Sequence, residues 1–225
     1  MKPASSLFND QARERVNQAI AQAESKTSAE VVPVVATASG RYDRPEDIVG
    51  LWLGIIALVA TWLALPAASA DPGSWGGFPL WQKIACVAAA VILGFVVGAV
   101  VASRVGWLRR LFTPRKQMRE EVESSARRVF FDSRVHRTAG ATGLLVYVSL
   151  YERMAVVIAD EAIVKGLGQP AIEELARQLT DRLKSASPTE AICQTVASAG
   201  DRLGSVLPRA QDDVNELPDG LVTID

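Results

Sequence analysis

The stretch Gly50–Leu65, GLWLGIIALVATWLAL, decides how the rest of the chain is read. It holds no charged side chain, and the uncharged run reaches back to Ile48, 18 residues in all. A second uncharged run, Ile84–Ser103, has 20 residues. As helices they would reach about 27 and about 30 Å, the thickness of a hydrocarbon core. A central Asp, Lys or Arg would cost roughly 2.5–3.5 kcal/mol on insertion, and neither run contains one. A chain of 225 residues is too small to wrap two such helices on all sides. The pattern therefore predicts a transmembrane hairpin over 48–103, with spans at 48–65 and 84–103 and a loop at 66–83.

Outward from the hairpin the sequence becomes ordinary globular protein. Hydrophobic residues are 49% of the chain and mean hydropathy is +0.16, but the excess lies between Ile48 and Ser103. The leading segment offers one amphipathic helix, about Asn9–Glu24, and one strand, Glu30–Ala36. Those cannot bury a core alone, so the missing partners must come from beyond the second span. Residues 1–47 and 104–225 are thus expected to form one discontinuous α/β domain: an α/β/α sandwich around a small mixed sheet, with the hairpin inserted in a loop. Pro33 lacks an N–H, which predicts an edge or a bulge for the first strand.

The second piece is well punctuated. Pro114 starts a helix that runs to about Ser133, with Met118, Val122, Ala126 and Phe130 on one face. The apolar runs Gly143–Leu150 and Met154–Ala159 are joined by Tyr151-Glu152-Arg153, which predicts an antiparallel hairpin covered by helices on both faces. A helix over Pro170–Lys184 follows. Ser187-Pro188-Thr189-Glu190 then reads as a capping box opening the last helix. The tail QDDVNELPDGLVTID is acidic.

Charge sets the expected orientation. Arg104, Arg109, Arg110, Arg115, Lys116 and Arg119 follow the second span without an acid among them, whereas 66–83 holds only Asp71 and Lys83. The positive-inside rule puts the basic side, and with two spans both termini, in the cytoplasm of a cell membrane. The opening residues lack an apolar signal region, which agrees. Trp75, Phe78 and Trp81 suit the headgroup layer of the outer loop. In the second span Ala90, Gly94, Gly98 and Ala102 recur every four residues, a smooth stripe for close helix packing. Its partner is the first span, another copy, or another membrane protein.

Chemistry is sparse. The net charge of −1 gives no footprint for nucleic acid. Two cysteines, Cys86 and Cys193, do not make a disulfide framework, and one histidine, His136, excludes a site with two histidine ligands. No phosphate-loop, dinucleotide or nucleophile-elbow motif occurs. Candidate ligand or partner contacts are Glu30, opening the first strand, and Asp160, ending the third. Open α/β sheets bind ligands beyond strand carboxyl ends, which singles out Asp160; its plainer role is a helix cap. No cofactor is expected; the alternative is a divalent cation, for which Asp212, Asp213, Asn215, Glu216 and Asp219 in the tail offer oxygens. They lack the glycine and spacing of a calcium loop and read more plainly as a solvated or partner-binding tail.

The segments FNDQARERVNQAIAQAESKTSAEVVPVV (8–35), GLLVYVSLYERMAVVIADEAI (143–163) and NELPD (215–219) together resemble the TPM-domain family. The likeness is to its bacterial membrane branch, where a transmembrane hairpin interrupts the domain. The resemblance implies an α/β/α sandwich around a small sheet. Relatives include a thylakoid-lumen protein tied to photosystem II repair and a modulator of nicotinic receptors; acid-phosphatase activity and calcium binding have been proposed for some. The expected function is a membrane-anchored, non-enzymatic interaction module, with a phosphatase-like hydrolase or a cation-responsive regulator as alternatives.

Overall fold

The computed structural model describes residues 3–40, 42, 44–65, 79–105, 111–138, 140–210, 212, 214–217 and 220–225. The chain divides into two compact units, Met1–Gly40 with Lys116–Asp225, and Arg41–Arg115. The interruption is thus wider than the uncharged runs alone, because helix flanks on both sides belong to it.

In the first unit four strands form one mixed sheet: β1 (Glu30–Ala36), β2 (Gly143–Ser149), β3 (Met154–Ala159) and β4 (Val222–Ile224), in the order β3-β2-β1-β4. β1 runs parallel to β2, from Glu30 opposite Gly143 to Ala36 opposite Ser149. β3 returns antiparallel to β2, with Leu144 opposite Ala159 and Ser149 opposite Met154. The two faces sort by residue parity, as a pleated strand requires. Val31, Val35, Leu144, Val146, Val148 and Val157 face one core, closed by α2 (Asp10–Glu24), α6 (Glu161–Leu167), α7 (Gln169–Ser185) and α8 (Pro188–Val206). Val32, Val34, Leu145 and Tyr147 face the other, closed by Val122, Ala126 and Phe130 of α5 (Arg115–Asp132). The three layers are those of the expected α/β/α sandwich.

Pro33 is the one strand residue whose placement differs from expectation. β1 lies between β2 and β4 rather than at an edge. The Glu30 amide donates to Thr142 O at 3.1 Å, so even-numbered amides of β1 face β2. The Thr37 amide donates to Ile224 O at 2.8 Å, so odd-numbered ones face β4. β4 pairs only with Val34–Ala36, one residue past Pro33. The absent N–H therefore removes no ladder bond, and the Val31 amide on the same side is taken by Glu24 Oε1 at 2.9 Å.

The short elements α1 (Ala4–Leu7), β4 and α6 have no counterpart in the sequence reading. α1 and β4 close on each other: Asp225 accepts from the Ser5 amide at 3.0 Å, from the Ser5 hydroxyl, and from the Thr37 hydroxyl at 3.1 Å. Arg13 of α2 steadies β4 by donating to Thr223 Oγ1 at 3.0 Å. The expected helix ending near Lys184 is present, but α6 precedes it, separated by Gly168 at φ +80, a backbone that favours glycine. Asn9 caps α2 and Ser187 caps α8. Glu190 does not return to Ser187 to complete the box; it pairs with Arg15 of α2 at 2.8 Å, tying two helices instead.

In the second unit α3 (Arg44–Ala64) and α4 (Leu80–Arg104) pack as a hairpin. Both are long and apolar enough to cross a membrane, with mean hydropathy 2.0 over Glu46–Ala64 and 2.9 over Leu80–Arg104. Gly94 and Gly98 of the small-residue stripe lie against α3. A Cβ on Gly98 would sit 2.7 Å from Gly50 Cα, and one on Gly94 would sit 2.9 Å from both Ala57 Cβ and Leu53 O. Gly50, Gly54 and Ala57 form the reciprocal smooth face, so backbone meets backbone. Beside them, Ala102 is fully buried. At the other end Lys83 is buried: its ammonium donates to Leu65 O at 3.3 Å and lies 4.3 Å above the Trp62 ring. The ammonium is thus held by a carbonyl and an aromatic ring. Asp71, Trp75, Phe78, Arg109 and Arg110 lie outside the described residues.

These contacts set two expected outcomes. Gly98→Leu overpacks the α3–α4 contact and should destabilise the hairpin by about 1–3 kcal/mol in detergent unfolding, whereas Ile92→Ala, on an exposed position, leaves it unchanged. The Ser5 hydrogen bonds hold the Asp225 carboxyl below the usual carboxylate range. Because this pKa is lowered on folding, the stabilisation is present above the unfolded pKa and lost as pH falls through the folded one. Amide exchange at Ser5 should accelerate only in that acid window, and Asp225→Asn should abolish the pH step.

Candidate functional site

The carboxylates singled out in the sequence are placed as follows. Glu30 opens β1 opposite Gly143, and the Asp160 amide donates to Gly143 O at 2.9 Å. The two residues therefore stand on either side of β2, about 10 Å apart by strand spacing. Because β3 is antiparallel, its carboxyl end lies at the amino end of the parallel pair, opposite to where α/β sheets hold ligands. Asp160 caps α6: Oδ1 accepts from the Glu161 amide at 2.8 Å, and Oδ2 is buried without a partner among the described residues. Glu30, itself buried, accepts from the Glu216 amide at 3.0 Å and so holds the acidic tail against the sheet. Asn215 turns that tail by accepting from the Leu217 amide at 3.2 Å. Asp213 and Asp219 lie outside the described residues. Among the described residues no three His, Cys, Asp or Glu side chains are grouped closely enough to hold a metal ion. His136 stacks near Phe131, ring centroids 5.0 Å apart, in a short 3-10 turn.

At the carboxyl ends of β1 and β2 a different carboxylate is found. Glu152, in the β2–β3 turn, is only 2% exposed. Its Oε1 accepts from the Ser39 amide at 3.0 Å and the Gly40 amide at 3.4 Å, and its Oε2 accepts from the Ser149 hydroxyl. Ser39 Oγ meets the Tyr147 hydroxyl at 3.0 Å, and the Ser125 hydroxyl donates to Ser39 O at 3.2 Å. Arg153, at φ +54, makes the tight turn that folds Glu152 inward. The sequence shows only a Glu between two strands; its burial depends on a loop 113 residues away in the chain. This network ties the segment leaving β1 to α5 and the hairpin.

A further feature of the domain lies along β3. A groove of about 870 Å³ is lined by all six β3 residues, by Arg119, Glu123 and Arg127 of α5, and by one face of α7. Asp160 N–H pairs with Gly143, so alternate groups at Ile158, Val156 and Met154 point toward β2. The backbone groups of Ala155, Val157 and Ala159 then point outward. Among the described residues none of them has a hydrogen-bond partner. β3 carries no charged side chain, and Met154, Val156 and Ile158 are only half-buried. Such a strand is an unfilled template for another strand. The α7 side of the groove bears Glu173, Arg177, Asp181 and Lys184. Lys184 pairs with Asp181 at 2.7 Å, holding that carboxyl below its usual range.

The geometry defines an α/β/α domain interrupted by an apolar helical hairpin, with an open strand edge at β3. No family model matches the chain, and no curated protein does. Among solved structures, the NMR structure of the BA42 protein from the psychrophilic bacterium Bizionia argentinensis aligns over 99% of this chain and 99% of its own. The TM-score is 0.56 at 14% identity, which is a likeness of fold.

Replacing Glu152 separates its structural role from that of Asp160. Glu152→Ala leaves two half-buried amides and the buried Ser149 hydroxyl without this acceptor and should cost about 2–3 kcal/mol in chemical unfolding. Asp160→Ala removes a cap and should cost about 1 kcal/mol. Equal losses at both positions would contradict the assignment.

Proposed function

We propose that this chain is a membrane-anchored, non-enzymatic interaction module, a member of the membrane branch of TPM-domain proteins. In this reading the α3–α4 hairpin crosses the cell membrane twice. The basic residues after α4 keep both termini and the α/β domain in the cytoplasm. The partner is another membrane protein or a second copy, with the lipid bilayer as the fixed surroundings.

The observation that carries this reading is the open edge of β3 in its groove. Strand addition gives affinity through main-chain hydrogen bonds and selectivity through flanking side chains. The carboxylates support the same reading, because each is engaged in holding the fold. Glu30 holds the tail, Glu152 holds the loop after β1, and Asp160 caps a helix. The small-residue stripe does not supply the docking face, since α3 already fills it at Gly94 and Gly98.

Purification from detergent should recover a stoichiometric partner. Val157→Pro should release it, because that proline deletes an outward N–H and leaves the β2 ladder intact. Retention of the partner by this variant would place docking elsewhere. For topology, an impermeant thiol reagent on intact cells should label a cysteine at Gly73, which lies outside the described residues, and spare one at Ser198. The reverse pattern would invert the assigned orientation.

A further inference from the structure

The β3 edge matches its own copy. We propose that two chains associate about a two-fold axis through antiparallel β3–β3 pairing, making one continuous sheet across the dimer. This rests on the reading of the β3 edge as the docking surface and names its occupant.

The register follows from the outward groups. Ala155, Val157 and Ala159 face away from β2, so a pairing centred on Val157 places Val157 opposite the partner's Val157, and Ala155 opposite the partner's Ala159. Each such pair exchanges two bonds, about six hydrogen bonds in all. Between them, in the non-hydrogen-bonded positions, Val156 stands opposite the partner's Ile158. Val156 and Ile158 are half-buried on the α5 face, and this contact covers them. Small alanines at the flanking positions leave the strands free to approach.

Charge agrees with the same symmetry. Along the groove side of α7 the order is Glu173, Arg177, Asp181, Lys184: acid, base, acid, base. A two-fold axis perpendicular to the sheet keeps α7 on the same face as its copy and runs the two antiparallel. With the axis abreast of Gln178 and Leu179, Glu173 meets the partner's Lys184 and Arg177 meets the partner's Asp181. All four contacts are then between opposite charges. Within the chain these groups make short-range exposed contacts, Lys184 with Asp181, Arg177 with Glu174 and Glu173 with Gln169, which exchange partners at little cost. On the other face α5 also lines the groove, with Arg119, Glu123 and Arg127.

The test uses the full chain in detergent with Cys86→Ala and Cys193→Ser as background. Chains carrying Val156→Cys are mixed with chains carrying Ile158→Cys under mild oxidant. The proposal expects a disulfide dimer in the mixture and none from either variant alone, since only the mixed pair stands directly opposite at a bridgeable distance. Asp181→Arg should weaken the dimer about tenfold or more, and adding Arg177→Asp should restore it. A chain that light scattering finds monomeric at concentrations on the order of 10 µM, with no mixed disulfide, overturns the proposal. If a different protein is then recovered and is lost with Val157→Pro, self-pairing falls and edge docking stands. If nothing binds the edge, both fall.

Discussion

The constraint on which the structure depends is that a long apolar interruption must leave a sheet intact. β1 and β2 are parallel neighbours, yet the whole α3–α4 hairpin lies between them in sequence. Closing so long a loop carries an entropic cost that grows with the logarithm of its length. A packed antiparallel hairpin lowers that cost, because its two helices return the chain to within about 10 Å of where it left. The close contact of Gly98 with Gly50 and the Lys83 contacts at Leu65 and Trp62 hold that hairpin together.

Once the sheet is assembled, several of its carboxylates hold pieces of chain together. Glu152 secures the segment that leaves for the hairpin, Glu30 secures the tail, and Asp225 fastens the two ends of the chain to β1 through Ser5 and Thr37. The outward backbone edge of β3 is open, flanked by charged side chains of α5 and α7. A surface of that kind binds by extending a sheet, and it recognises by the charge and shape of what lies alongside.

Much of this was legible in the sequence because periodicity and punctuation agree. The helical faces at Val16, Ile20 and Ala23, and at Met118, Val122, Ala126 and Phe130, are buried as their spacing predicts. The two-sided burial of β1 and β2 follows from their continuous apolar runs. What was not legible depends on distant partners. β4 is three residues in an acidic tail and becomes a strand only because β1 offers an edge beyond Pro33. Glu190 matched a local capping motif, but the nearby Arg15 of α2 offered a full charge instead of a backbone amide. Gly50 and Gly54 drew no notice as a stripe because it takes the facing helix to show what they admit. Glu152 and Asp160 exchanged importance: the antiparallel β2–β3 turn was legible, but the parallel pairing of β1 with β2, which decides which end of the sheet each carboxylate occupies, joins segments far apart in the chain.

Hydrogen exchange on the full chain in a lipid disc tests the reunion of the two fragments most directly. The account predicts that the Val32, Val34 and Ala36 amides of β1 are protected as strongly as the Leu144, Val146 and Val148 amides of β2, and that Val146→Pro exposes both strands together. Rapid exchange of β1 beside a protected β2 would contradict it.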